Sequence, residues 1–189
     1  MQLVGGPGTA KTCIVQQFLS RFDPYAHVAR TVTFSSLTSP AIFQAAVEGA
    51  MEKRQGRTYG PPGGKSMALF VDDLAMPALN AWGDQITNEL VRQLLEQGGF
   101  YSLDKPVGDL KQFVDTRYVA AMSLPAAGRS DIPNRLKRQF CVFNVPPPSP
   151  GARRRRREPH PAAPRNSQCL TRILFFPCAQ RPSTACSGG

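Results

Sequence analysis

Gly5-Gly6-Pro7-Gly8-Thr9-Ala10-Lys11-Thr12 follows a short apolar segment, Met1–Val4, and leads into Lys11–Ser20, where Ile14, Val15, Phe18 and Leu19 recur at helical spacing. A glycine-rich turn between a strand and a helix presents successive backbone N–H groups to one anion, and the helix N-terminus adds a favourable dipole. In the phosphate-loop (Walker A) pattern GxxxxGK[ST] the lysine reaches the β/γ-phosphates and the hydroxyl ligates Mg²⁺. Lys11 and Thr12 fill those places, with Gly5, Gly6, Pro7, Gly8, Thr9 and Ala10 supplying the backbone. Ala10 stands where the pattern has its second glycine, a change a methyl group tolerates if φ stays negative. The plainer alternative is a glycine-rich turn whose Lys-Thr pair has no chemical meaning.

Sixty residues beyond Thr12, the apolar run Met67–Val71 ends in Asp72-Asp73. An acid at the C-terminal end of a neighbouring parallel strand falls beside such a loop. Asp72 is expected to hold Mg²⁺ through water, as a Walker B acid does, and Asp73 to orient the attacking water. Many ATPases carry Glu at the second place; Asp is one methylene shorter, which favours binding over fast hydrolysis. The run Tyr118–Met122 ends in Ser123, where the next strand would deliver a polar group to the γ-phosphate; Gly128-Arg129-Ser130 is a second candidate for that role. Arg135 and Arg138 precede the last strand, at the place from which ring ATPases reach a neighbouring module's site. A solvated basic turn is the alternative there.

These groups need elements to hold them. Val28–Phe34 reads as a strand, and Ser39-Pro40 as the N-cap and first residue of a helix running to about Arg54, with Phe43, Val47 and Met51 inward. Gly56–Lys65 reads as a loop. Ser66–Val71 is a strand buried on both faces, and Asp84–Gln97 a helix with Ile86, Leu90 and Leu94 on one stripe, ended by Gly98-Gly99. A small hairpin is expected within Phe100–Asp115, then a strand at Arg117–Met122, a helical turn at Pro133–Arg138 and a strand at Phe140–Val145. Alternating strands and helices predict a parallel α/β sheet.

The composition fits this reading once the chain is divided. It has 189 residues with 23 Lys+Arg against 13 Asp+Glu, a net charge of +10, which taken whole invites a nucleic-acid partner. Residues 150–189 hold eight Arg and one acid, so +7 belongs to a Pro- and Arg-rich tail containing Arg153–Arg157, expected to be disordered. The body carries only +3. No apolar run reaches membrane-spanning length and the N-terminus lacks signal-peptide character, so no membrane association is expected. Five scattered Cys without CxxC and two His argue against zinc or a disulfide framework, and point to a reducing intracellular setting.

GTAKT (Gly8–Thr12), TYGPPGGK (Thr58–Lys65), FVDDLAMP (Phe70–Pro77), WGDQITNELVRQLLEQGGFYSLDKP (Trp82–Pro106) and GRSDIPNRLKRQFCVFNV (Gly128–Val145) together resemble the third AAA+ module of axonemal dynein heavy chains, outer-arm type, over about residues 1–148. The resemblance implies a three-layer P-loop NTPase core with strand order 5-1-4-3-2. It implies ATP/ADP and Mg²⁺ as ligands, a regulatory nucleotide site, and service in minus-end-directed motility. Its partners would be the other AAA+ modules of the same heavy chain, dynein intermediate and light chains, and microtubules. The setting would be cytoplasm and cytoskeleton, in the axoneme of cilia or flagella, with nucleic acid disfavoured as a partner. The family tends to carry Asp-Asp at positions 72–73. This chain departs from it at Ala75, where Asn is usual, and at Pro125-Ala126-Ala127-Gly128-Arg129-Ser130, where two Ala replace Gly and restrict the loop that follows Ser123.

Two domains are therefore expected: a core at 1–148, truncated at its N-terminus and lacking a helical lid, and a basic tail at 149–189 that resembles translated non-coding sequence or a shifted frame. Whether the piece alone hydrolyses ATP does not follow from its sequence. A truncated product without activity, and a basic protein binding nucleic acid through its tail, are the alternatives.

Overall fold

The computed structural model describes residues 1–103, 108–125 and 130–147. In chain order the elements are β1 (Gln2–Gly5), α1 (Lys11–Leu19), β2 (His27–Thr33), α2 (Pro40–Glu48), β3 (Glu52–Lys53), β4 (Thr58–Gly60), β5 (Ser66–Asp72), α3 (Ile86–Gln97), β6 (Gly99–Tyr101), β7 (Leu110–Phe113), β8 (Thr116–Ser123), α4 (Asn134–Lys137) and β9 (Val142–Asn144). Five strands form the main sheet in the order β2-β5-β8-β1-β9, every neighbour parallel. Counted one to five along the chain, that order is 5-1-4-3-2, as the resemblance implied.

The connections place the helices. Right-handed crossovers put a helix on opposite faces according to whether the chain moves left or right along the sheet. The β1-to-β2 step runs one way and carries α1; the later steps run back and carry α2, α3 and α4. The contacts agree: α1 packs on β1 and β5, α2 on α3, and α3 on α4. The larger core lies on the second face, where Met67, Leu69 and Val71 of β5 and Ala120 and Met122 of β8 meet Phe43, Val47, Leu90, Val91 and Leu94. The alternate residues Ala68 and Phe70, Val119 and Ala121, and Leu3 turn to the α1 face, where Val15 and Leu19 are buried. This double burial accounts for the unbroken apolar runs of β5 and β8.

Local expectations are met where the signal is local. Ser39 caps α2, its Oγ accepting from the Ile42 N–H at 3.3 Å with Pro40 as the first helical residue. Three expectations are corrected. First, α2 stops at Glu48, not near Arg54. Gly49 and Ala50 turn the chain, and Glu52–Lys53 gain an antiparallel ladder with Tyr59 and Gly60 that outweighs another helical turn. Second, Gly56–Lys65 is not all loop. Thr58–Gly60 pairs with β7, building a second sheet in the order β3-β4-β7-β6 that contains the expected hairpin, β6 with β7. Third, Ile86 is 54% exposed, and the buried side of α3 begins instead with Thr87 and Asn88 ahead of Leu90, Val91 and Leu94. The expected disorder of the tail, and Gly128 and Arg129 of the sensor loop, lie outside the described residues.

Candidate nucleotide site

Strand register fixes the site before any side chain is considered. Gly5, Ser123 and Asp72 end β1, β8 and β5, three adjacent parallel strands; Gly5 pairs with Ser123, and Val71 with Ala120. By alternation all three continue the α1 face through Leu3, Ala121 and Phe70. They therefore converge at the C-terminal edge of the sheet, where open α/β sheets bind ligands.

The loop Gly6–Ala10 leaves this edge and enters α1. Gly8 has φ 75° and Ala10 φ 62°, so left-handed residues interrupt the chain and curl its N–H groups toward one centre. The condition under which a methyl group is tolerated there, a negative φ, is therefore not met. An alanine held left-handed costs on the order of 1 kcal/mol, which a glycine would not incur. We expect Ala10→Gly to raise unfolding stability slightly, whereas Ala45→Gly in the exposed interior of α2 loses about 1 kcal/mol. Equal losses in urea titrations of the two variants would contradict the left-handed assignment.

Lys11 opens α1 and is buried. Its Nζ donates to the carbonyls of Gly5 at 2.9 Å and Gly6 at 2.8 Å and to Thr9 Oγ1 at 3.2 Å, and Thr9 Oγ1 donates to Gly6 O at 2.9 Å. The ammonium is thus held over the loop by the loop's own backbone. Across the sheet edge, Thr12 Oγ1 donates to Asp72 Oδ2 at 2.8 Å, and the other carboxylate oxygen accepts the Asp73 N–H at 3.1 Å. A hydroxyl and a carboxylate side by side next to a phosphate cradle are hard oxygen donors that suit Mg²⁺, which is held by one or two protein oxygens together with substrate phosphates. Ser123 is buried at the next strand end. Asp73 follows in a left-handed turn, φ 56°.

The structure thus brings together Gly5–Thr12, Asp72, Asp73 and Ser123. Arg135 and Arg138 are not brought to this loop. Their partners are acids on α3 and at its approach: Arg135 Nε lies 2.9 Å from Glu89 and its Nη2 3.8 Å from Asp84, and Arg138 lies 3.5 Å from Glu96. Arg92 shares Glu89 and Glu96, and its hydrogen bond to Glu89 raises its already high pKa. The side chains of Arg135 on α4 and of Arg138 just after it remain 49% and 66% exposed.

Sequence reasoning missed Gln85 and Asn88, whose amides reach the turn behind Asp73. Asn88 Nδ2 donates to Leu74 O at 3.1 Å, and Gln85 Nε2 to Pro77 O at 2.9 Å. The signal was present as a polar pair three residues apart, leading into the apolar stripe of α3.

A 5-1-4-3-2 parallel sheet with a phosphate loop after its first strand and an acid after its third defines a P-loop nucleotide-binding module of the AAA+ kind. The family described as "P-loop containing dynein motor region" matches residues 1–148, and the chain belongs to it. It is 65% identical over 150 residues to "Dynein gamma chain, flagellar outer arm" of Chlamydomonas reinhardtii, covering 79% of this chain and 3% of that protein. It is also 56% identical over 147 residues to "Dynein axonemal heavy chain 5" of Mus musculus, covering 78% of this chain and 3% of the relative. For "Dynein axonemal heavy chain 8" of Homo sapiens the identity is 54% over 147 residues, with 78% and 3% covered. The chain thus spans about 3% of the length of these relatives.

Proposed function

We propose that residues 1–148 bind ATP or ADP with Mg²⁺ as one module of a dynein motor ring, and that residues 149–189 are a basic tail with no part in nucleotide binding. The observation that carries this reading is the contact of Thr12 Oγ1 with Asp72 Oδ2 at 2.8 Å across sixty residues of chain. Lys11 and the loop N–H groups bind the β- and γ-phosphates, Thr12 and Asp72 hold the cation, and Ser123 faces the γ-phosphate end. Bound Mg²⁺ would neutralise phosphate charge. Asp73 orients water for hydrolysis. Its short side chain supports slow turnover, and with it the role of a regulatory nucleotide site. Arg135 and Arg138, partly exposed on and just after α4, act on a neighbouring module's nucleotide after leaving the acids they pair with on α3 and at its approach.

The names of the relatives, flagellar outer-arm and axonemal dyneins, support a place in the axoneme of cilia or flagella, and the activity proposed with it is ATP-driven, minus-end-directed motility on microtubules, in cytoplasm and cytoskeleton. The other AAA+ modules of the heavy chain, and dynein intermediate and light chains, are the partners that follow.

ATP titrated with and without Mg²⁺ tests the site. Wild type is expected to bind more tightly with Mg²⁺. Thr12→Val and Asp72→Asn are each expected to remove about tenfold of that gain while keeping Mg²⁺-free affinity, since each deletes one charge-assisted oxygen contact. Identical wild-type affinities in the two conditions would contradict the cation assignment.

A further inference from the structure

The turn that carries Asp73 is held from outside by two amides that no part of the phosphate loop uses. Leu74 N donates to Ala121 O at 3.1 Å and Met76 N to Asp73 O at 3.0 Å, which closes the turn on itself and on β8. Its outward carbonyls would otherwise be buried and unpaired, a costly state. Asn88 Nδ2 serves Leu74 O at 3.1 Å, while Gln85 Nε2 serves Pro77 O at 2.9 Å and Ala75 O at 3.4 Å. The two amides also bond each other, Asn88 Nδ2 to Gln85 Oε1 at 2.6 Å. Both side chains are almost fully buried.

Two features show that these residues are placed for the turn rather than for their helix. Gln85 is the N-cap of α3, a position that favours Ser, Thr, Asp or Asn, and its side chain makes no cap hydrogen bond. Asn88 Oδ1 is buried without a partner, so its amide is oriented by what Nδ2 donates to. The same turn of α3 reaches the loop after β2, through Thr87 Oγ1 to Thr38 O at 2.9 Å.

We infer that Gln85 and Asn88 are positioning residues that lock the Asp72–Pro77 turn, and through it the carboxylate that meets the cation. The path is short. The turn fixes the Asp73 N–H, which binds Asp72 Oδ1, while Asp72 Oδ2 receives Thr12. Freeing the turn loosens one oxygen of Asp72 and leaves Lys11 and the loop untouched. The inference rests on the nucleotide reading above for its chemical consequence, but the lock itself is a property of the chain alone.

The test uses the full chain with Asn88→Ala and Gln85→Met. The second variant keeps the unbranched shape and nearly the volume of Gln85 at this buried place, yet it cannot donate to Ala75 or Pro77. Val91→Ala serves as a comparison that weakens α3 packing and removes no hydrogen bond to the turn. Hydrogen exchange of the Leu74 and Met76 amides is expected to quicken by about tenfold in both amide variants, with β5 and the C-terminal half of α3 unchanged. The ratio of ATP affinity with Mg²⁺ to that without is expected to fall by about fivefold, with Mg²⁺-free affinity kept. Unchanged exchange at the turn would overturn the inference. So would equal acceleration through β5 and α3, or the same fall in the Mg²⁺ ratio for Val91→Ala. Wild-type chain that binds no ATP in either condition would defeat the nucleotide reading instead, and the exchange comparison would still decide the lock.

Discussion

Lys11→Ala weakens ATP binding by about 10- to 150-fold, the loss expected when a charged hydrogen-bond donor worth roughly 1.5–3 kcal/mol is removed from a phosphate. The effect is large because the ammonium is already positioned. Its Nζ is fixed on the carbonyls of Gly5 and Gly6 at the end of β1, so little side-chain freedom remains to be lost when phosphate arrives. Lys11→Met separates charge from packing, since it keeps an unbranched stem at this buried position and removes only the donor. The two variants should bind ATP equally poorly, with Lys11→Met the more stable in urea. Wild-type affinity in Lys11→Met would mean that the lysine serves the fold and not the ligand.

The second large effect concerns the backbone beneath that lysine. A Cβ built on Gly5 would lie 2.5 Å from Val145 O and 3.1 Å from Thr9 Oγ1. The first neighbour is main chain and cannot swing away, because Val145 N is bonded to Val4 O at 2.7 Å and continues the β1–β9 pairing. Gly5→Ala must part β9 from β1 or push the loop off its register with Ser123. Overpacking of this kind costs roughly 1–3 kcal/mol, a fall in Tm of several degrees for a chain of this size. Nucleotide affinity should fall with it. Gly6 is the control one residue on, where an added Cβ meets nothing within 4 Å. Gly6→Ala is expected to leave Tm within about a degree of wild type, as surface substitutions do. Equal losses in the two variants would show that the crowding at Gly5 is not what makes glycine necessary there.

Both effects were partly legible in the sequence. The choice of Lys11, Thr12, Asp72 and Ser123 as candidate site residues rests on local pattern: a glycine turn between an apolar strand and a helix, and apolar runs that end in polar residues. Parallel register then brings those ends together without any further instruction. Ser39 before Pro40 marked the start of α2 for the same local reason. What the sequence hid is set by contacts far along the chain or by torsion. The end of α2 at Glu48 depends on a partner strand ten residues away whose Gly- and Pro-rich setting conceals it. The inward turn of Asn88 in place of Ile86 depends on carbonyls of the acidic turn, which have no signature in residue type. The left-handed φ of Ala10 contradicts the usual preference of alanine, and only closure of the loop between β1 and α1 requires it. The chemistry of the site follows from the strand ends, whereas its rigidity comes from α3.

In the function proposed, one edge of the sheet, built from Gly5–Thr12, Asp72-Asp73 and Ser123, receives a magnesium nucleotide. Amide chemical shifts of the isotope-labelled full chain, followed as Mg·ADP is added, test it most directly. The Gly6–Thr12 amides are expected to move first and furthest, followed by Asp73, Leu74 and Ser123, with β3, β4 and β6 unmoved. Saturating Mg·ADP that leaves the loop amides in place, or that moves only residues away from this edge, would contradict it.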